Sequence, residues 1–308
     1  MDAKPRISVV IPHLNHPDAL RRGLAALAAQ RPEAGGGVPF EVIVVDNGSR
    51  ERPDATCAAF PFVRLAEAPE PGPGPARNRG ARLARGAILA FIDADCIAAP
   101  DWIAAIDGHF KRHPEAQVVG GDVRIAPADP ARATAIEAYE SIYGYRMKLY
   151  VERDHYCGAG NMAVRRETFR AVGDFAGISV AEDMDWGRRA TALGISIDYA
   201  PEIRIATPAR KSFAELARKW DRHIAHDFED LATRRFGRLR WAARCAAIAV
   251  SPLAELPRVL RSDRVAGRRE RALAFLCLAR IRLYRAWRML KLLFGGDGAS
   301  MSGAWNRQ

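Results

Sequence analysis

The chain has 308 residues, 49% of them hydrophobic, with 47 Lys and Arg against 36 Asp and Glu, a net charge of +11. That length suits one sizeable α/β domain with an appendage and falls short of two large domains. The charge is local: from Arg204 onward 23 basic residues face 9 acidic ones, a net +14, while the first 203 residues carry −3.

The first half alternates short apolar runs with helical patterns, the signature of a mostly parallel sheet covered by helices. Ile7 to Pro12 reads as the first strand, and Asn15-His16-Pro17-Asp18 opens a helix with Leu20, Leu24 and Leu27 at helical spacing. Phe40 to Val45 is a second strand that runs straight into Asp46-Asn47-Gly48-Ser49, and Val63 to Leu65 a third. After the Pro/Gly loop at 71–74, Pro75 to Arg85 reads as a helix leading into the strand Ala87 to Ile92. A helix follows from Pro100 to His113, then a strand from Gln117 to Val123, a helical stretch from Arg132 to Leu149, and a glycine-softened strand from Cys157 to Val164. Arg166 to Val172 is a short helix, and Glu182 opens another, with acidic residues in its first turn and basic ones behind them. Ile195 to Ala206 is extended, and beyond Pro208 the pattern is helical.

Asp93 and Asp95 follow the apolar run that ends at Ile92, so two hard oxygen ligands stand at the carboxyl end of a strand. That edge of an open α/β sheet is where ligands bind, and two carboxylates there suit a Mg²⁺ or Mn²⁺ that also holds the phosphates of a nucleotide diphosphate. Alone, a D-x-D is as readily a helix cap beside a solvated loop residue. Asp46 ends its strand in the same way and is placed to accept from a base N–H or from ribose hydroxyls, though a simple turn explains it too. Gly74 to Gly80 sets a glycine loop before a helix carrying Arg77 and Arg79, a nucleotide-facing surface that matches neither a Walker loop nor a dinucleotide fingerprint. Glu182 and Asp183 supply a second carboxylate cluster, and Asp183 is the candidate general base for an acceptor hydroxyl. The duller account is that Glu182, Asp183 and Asp185 complement a helix dipole.

Five cysteines, Cys57, Cys96, Cys157, Cys245 and Cys277, have no C-x-x-C spacing, so neither a disulfide framework nor a zinc site is indicated and a reducing compartment fits. No charged and apolar leader precedes the first strand, and the late apolar stretch from Trp241 to Leu260 is broken by Arg244, Pro252, Glu255 and Pro257, which argues against a membrane span. The expected location is cytoplasmic, peripheral at the inner face of a membrane. Phe275, Ala279, Leu283, Ala286, Leu290 and Phe294 form one stripe at helical spacing, with Arg271, Arg282, Arg285 and Arg288 on the other side. Either the stripe packs inward and frees the arginines for anionic headgroups, or the stripe itself inserts. The Arg-rich pattern interleaved with Leu, Ile, Trp and Phe favours an anionic membrane surface over nucleic acid as partner, and a solvated helix face accounts for it as well.

Taken in order, Ile7 to Pro12, Val44 to Ser49, Ala76-Arg77-Asn78, Asp93-Ala94-Asp95, Gly160-Asn161 and Glu182-Asp183 resemble the family 2 glycosyltransferases, over residues 6 to 215. The resemblance implies a GT-A fold, a Rossmann-like nucleotide-binding mixed sheet flanked by helices, with a C-terminal helical extension. The expected division is a catalytic domain at 1–210, a basic helical region at 211–294 and a disordered tail at 295–308. It also implies an inverting transferase using a nucleotide-diphospho-sugar, UDP-linked by default, and a divalent metal, with a saccharide or lipid-linked acceptor. By that likeness Pro12, Asp46, Asn78 and Asp93 bind the donor nucleotide, and Asp93 and Asp95 hold the metal. Asn161, Glu182 and Trp186 border the sugar or acceptor, and Asp183 is the base. The chain departs from the family at His13, at Asn47 where a second acid is common, and at Thr207, where relatives often carry a metal-binding His. Water, His223 or His226 would then complete the metal shell, although buried helix histidines are the plainer account of the last two. A sugar nucleotidyltransferase is the rival enzyme, but Pro12-His13-Leu14-Asn15 replaces the basic glycine loop it needs. The other rival is a non-catalytic membrane or nucleic-acid binder acting through the basic helices.

Overall fold

The computed structural model describes residues 4–30, 37–129, 131–178, 180–232 and 237–294. It divides into two compact units, one of Met1–Arg124 with Arg146–Thr207, the other of Ile125–Tyr145 with Pro208–Gln308. The expected tail at 295–308 lies outside the described residues.

The first unit is built on β1 (Ile7–His13), α1 (Pro17–Ala28), β2 (Phe40–Asp46), α2 (Asp54–Ala58), β3 (Val63–Glu67), α3 (Pro73–Leu83), β4 (Ile88–Ile92), β5 (Ile97–Ala98), α4 (Trp102–Arg112) and β6 (Val118–Ala126). The chain leaves it for α5 (Ala135–Tyr143) and returns with α6 (Met147–Asp154), β7 (Asn161–Arg165), α7 (Arg166–Val172), α8 (Glu182–Ala192) and β8 (Ile197–Pro208). Among the described residues the strands form an eight-stranded sheet in the order β3-β2-β1-β4-β7-β6-β8-β5. The half made early in the chain is parallel, β1 pairing with β2 and β4, and β2 with β3. Beyond β4 the pairing turns antiparallel, β4 with β7, β7 with β6 and β5 with β8. The sheet is therefore mixed, and the parallel pattern read from the first half stops at β4.

The parallel strands are buried on both faces, which is why they read as continuous apolar runs rather than alternating ones: all five residues of β4 are buried, as are six of the seven in β2. Register then sets the functional edge. His13 lies opposite Asp46, and Ile92 opposite Asn161, so the carboxyl ends of β2, β1 and β4 finish side by side. With β1 between them, β2, which ends at Asp46, and β4, which Asp93 follows, stand two strand spacings apart, about 10 Å. The long helical stretch expected from Arg132 is two helices, because the chain changes units between Tyr145 and Arg146.

The second unit combines α5 with α9 (Phe213–Ala232), α10 (Gly237–Arg261) and α11 (Gly267–Leu293). Helices α10 and α11 pack through Trp241, whose indole N–H donates to the Met289 carbonyl at 2.9 Å, and through Cys245 beside Ala286. The sequence expectation for α11 is corrected in one respect: the arginine side is the packed side. Arg285 is buried with its guanidinium 3.7 Å from the Trp220 ring centre, and Arg288 pairs with Asp221 at 2.9 Å. A flat, weakly hydrated guanidinium can stack on an indole and still reach an acceptor at its rim, so it buries where an ammonium would not. Burial and neighbouring Arg282 bring Arg285 down to about 10. In the proposed stripe Ala286 is buried, whereas Leu283, Leu290 and Phe294 face solvent. Among the described residues no helix is long and apolar enough to cross a membrane.

Candidate active site

At the end of β2 the Asp46 carboxylate is buried and enclosed by its own neighbours. Oδ1 accepts from the Ser49 hydroxyl at 2.6 Å and lies 3.0 Å from His13 Nδ1, and Oδ2 accepts from the Ser49 amide at 3.1 Å. His13 Nε2 accepts from the His16 amide, so the ring proton sits on Nδ1 and points at Asp46. Burial alone would raise the Asp46 carboxyl, but the Ser49 hydroxyl and His13 outweigh it and hold it below its usual range. Asn47 then fixes the next loop: its amide donates to the carbonyls of Ala68 and Glu70 and accepts from the Gly72 amide. An aspartate could not donate to those carbonyls, which gives the departure at 47 a physical reason.

Helix α3 follows Gly72, whose φ of 120° suits glycine, and presents Arg77 inward and Arg79 to solvent. Arg77 is 4% exposed, and its guanidinium bridges two distant carboxylates: Nη2 donates to Asp93 Oδ1 at 2.7 Å and Nη1 to Glu182 Oε1 at 2.9 Å. Burial would weaken the charge, but Asp93 and Glu182 together more than restore it and keep Arg77 cationic. The two acidic clusters of the sequence are thereby joined in one constellation. Asp93 is fixed from the other side by Gly160, where a Cβ would fall 2.6 Å from Asp93 Oδ2. Asp95 reaches solvent, yet the surrounding protein, reinforced by the Asp93 charge, pushes its carboxyl up.

Asp183, in the first turn of α8, is half-buried beside Gly158, and its Oδ1 accepts from the Met184 amide at 2.8 Å. Burial and the adjacent Glu182 charge raise its pKa against the opposing pull of Arg77. Tyr150 and Tyr156 stack at 5.2 Å and feel the Asp183 charge. No sequence signal marked this aromatic pair, because neither tyrosine stands in a motif.

Three predicted site residues turn their polar atoms toward the fold. Asn78 exchanges two 2.8 Å bonds with the Phe175 backbone. Asn161 is buried at the start of β7, accepting from the Trp102 indole and donating to the carbonyls of Asp122 and Ile203, which ties β6, β7 and β8 to α4. Trp186 is buried against Phe169 and Phe175 with its N–H on the Gly173 carbonyl. Pro12, half-buried, precedes His13 at the end of β1.

The donor set suits a hard divalent cation that shares its shell with phosphate: Asp95 and Asp93 carry oxygen ligands whose mutual repulsion a cation would relieve. Among the described residues no group of three His, Cys, Asp or Glu could hold a metal by itself. Thr207 is buried on β8 and hydrogen-bonded to the Cys96 thiol, next to the β5 pairing. His223 lies on α9 against the Trp220 ring, and the His226 side chain is outside the described residues.

The sequence profile described as Glycosyl transferase family 2 matches residues 8–173 of this chain. The chain belongs to that family. This family 2 glycosyltransferase is 31% identical over 226 residues to glycosyltransferase AglE of Haloferax volcanii, a match covering 70% of each chain. Its fold is similar to that of the mannosyltransferase PcManGT of Pyrobaculum calidifontis, solved with GDP-Man and Mn²⁺, at a TM-score of 0.57 and 18% identity over 96% of this chain and 89% of the other. It is also similar to residues 1–349 of TarS of S. aureus in complex with UDP-GlcNAc, at a TM-score of 0.53 and 14% identity over 94% and 92% of the two chains. Membership of the family displaces the nucleotidyltransferase and the non-catalytic binder: the enzyme transfers sugar from a nucleotide sugar.

Gly160→Ala tests the fit around Asp93. The added methyl meets the end of a side chain rather than backbone, so Asp93 turns away and the fold is kept. Nucleotide-diphosphate affinity measured by calorimetry is expected to fall roughly ten- to hundredfold, with a lower melting temperature from the loosened Arg77 pair and a folded circular-dichroism spectrum. Unchanged affinity would place the nucleotide away from Asp93.

Proposed function

We propose that this chain is an inverting transferase that moves a sugar from a nucleoside diphosphate donor, UDP-linked in the first instance, to a hydroxyl of a saccharide or lipid-linked acceptor in polysaccharide or glycolipid synthesis. The observation that carries the reading is the Arg77 bridge, which holds Asp93, at the donor end of β4, and Glu182, beside the candidate base, on one guanidinium. Donor and acceptor groups then need only span one small constellation.

In this reading Asp183 takes the proton of the acceptor hydroxyl as its oxygen attacks the anomeric carbon from the face opposite the diphosphate. The bond from that carbon to the diphosphate oxygen breaks, its electron pair leaves with the nucleotide, and the configuration inverts. A raised pKa makes Asp183 a stronger base than an exposed aspartate. The stacked faces of Tyr150 and Tyr156 beside it suit a sugar ring. Asp46, pinned by His13 and Ser49, keeps one oxygen position for a base N–H or ribose hydroxyl, with Pro12 beside it. Asn78, Asn161 and Trp186 contribute by positioning the elements around the site. When bound by Asp95 and Asp93, a divalent cation, Mg²⁺ or Mn²⁺, supplies charge neutralisation at the departing diphosphate. The similar structures were solved with GDP-Man and with UDP-GlcNAc, so both nucleotide classes belong in the donor screen.

Two substitutions test the assignment. Asp183→Asn is expected to lower turnover by roughly 10²–10⁴-fold while donor affinity stays within a factor of about two. In the wild type kcat/KM should be lost as pH falls through the raised Asp183 pKa, above the ordinary aspartate range, because only the deprotonated carboxylate accepts the proton. Near-normal turnover in the mutant rules Asp183 out as the base. For Asp95→Ala, the Mn²⁺-dependent part of nucleotide-diphosphate binding should disappear in a calorimetric titration, and retention of that part moves the cation elsewhere.

A further inference from the structure

The second unit holds the whole +11 net charge of the chain, leaving the first unit formally neutral. On α10 this charge lies beside an outward apolar stripe. Leu239, Val250, Leu253 and Leu260 are exposed, the first and third by 70% and 74%, and Ala243, Ala246 and Pro257 fill the steps between them. The sequence steps are 4, 3, 4, 3, 4 and 3, so these positions lie on one face along nearly all of the 25-residue helix, about 37 Å. The opposite face, with Trp241, Cys245, Ile248, Pro252 and Val259, is the buried one. The stripe is therefore displayed by a helix that is already anchored, and no unfolding is needed to expose it.

One flank of the stripe is basic. Arg240, Arg258 and Arg261 are exposed, and Glu255, the sole acid among the residues of α10, is already paired with Arg258 and accepts from Tyr143. At the carboxyl end of the helix, Arg258, Arg261 and Ser262 line an open depression of about 550 Å³ together with Ala254, Pro257 and Ile142. Glu255 and Asp263 line it as well.

We propose that the outer face of α10 is a docking surface for an anionic phospholipid bilayer, with the leucine stripe at the acyl boundary and Arg258 and Arg261 on headgroup phosphates. Charge complementarity selects this occupant. A second copy of the chain related by a two-fold axis would set Arg240 of one helix against Arg258 and Arg261 of the other, a like-charge contact that opposes association. A polyanion such as nucleic acid would match the arginines and leave Leu239, Val250, Leu253 and Leu260 in water. A bilayer interface satisfies both, apolar face in and basic groups at the headgroup level. The surface is independent of the chemistry proposed for Asp183.

The test is sedimentation of the full chain with phosphatidylcholine vesicles, with and without added phosphatidylglycerol. The expected result is co-sedimentation with the anionic vesicles alone, weakened by salt. Leu253→Asp with Leu260→Asp should abolish it, and Arg258→Glu with Arg261→Glu should lower partitioning roughly tenfold or more. Both pairs sit on exposed positions, and circular dichroism checks that they fold. Three results overturn the proposal: no binding to anionic vesicles, equal binding to both vesicle types, or full binding by the folded double variants. A stable dimer that the leucine substitutions dissociate would assign the face to a second copy instead.

Discussion

One guanidinium organises the candidate site. Arg77 enters from α3, a helix that carries no acid of its own near it, and meets carboxylates that lie 16 residues ahead and 105 residues ahead in the chain. Its charge offsets the desolvation of Glu182 and pins Asp93, and it does so from an interior position that water does not reach freely. Arg77 itself is buried while Asp93 is half-exposed, so losing either carboxylate leaves the interior guanidinium charge less compensated. The arrangement therefore enforces a single geometry for groups contributed by β4 and α8. The same cation also tempers Asp183, which burial and Glu182 push upward.

The fold supplies the stage on which that interaction is possible. Parallel pairing of β2, β1 and β4 brings Asp46 and Asp93 to one edge, and the switch to antiparallel pairing at β7 lays Gly160 against Asp93. Asn47, Asn78 and Asn161 act as amide pins, each both donating and accepting and each tying together segments distant in the chain. A carboxylate in any of these places would lose the donating half. This is why a family 2 glycosyltransferase can carry Asn47 where an acid is common and keep the loop that follows β2 in place.

Much of this was legible in the sequence, and the failures have physical causes. Strands buried on both faces announce themselves as apolar runs, so β1, β2 and β4 and the acids that follow them could be read directly. Two short elements, the two-residue β5 and the five-residue α2, carry too few residues for any period to register. That Arg77 turns inward while Arg79 does not depends on the rotation of α3 about its axis, which tertiary packing decides. That the polar atoms of Asn78, Asn161 and Trp186 bond to the fold was not legible, because a motif records a position and not the direction of a side chain. In α11 the stripe was found with its inward and outward placements both open, since periodicity separates two faces without saying which is buried, and Trp220 offers Arg285 an aromatic partner that no local pattern reveals.

Arg77 holds Asp93 and Glu182 in place and lowers the proton affinity of Asp183 against burial and the Glu182 charge. The direct measurement is the pH dependence of kcat/KM for Arg77→Gln beside wild type, with the nucleotide sugar that is turned over fastest. Because the Arg77 charge lowers the Asp183 pKa, its loss should move the acid limb of the profile to higher pH as well as reducing the rate. A folded Arg77→Gln enzyme whose acid limb coincides with that of wild type would contradict the account.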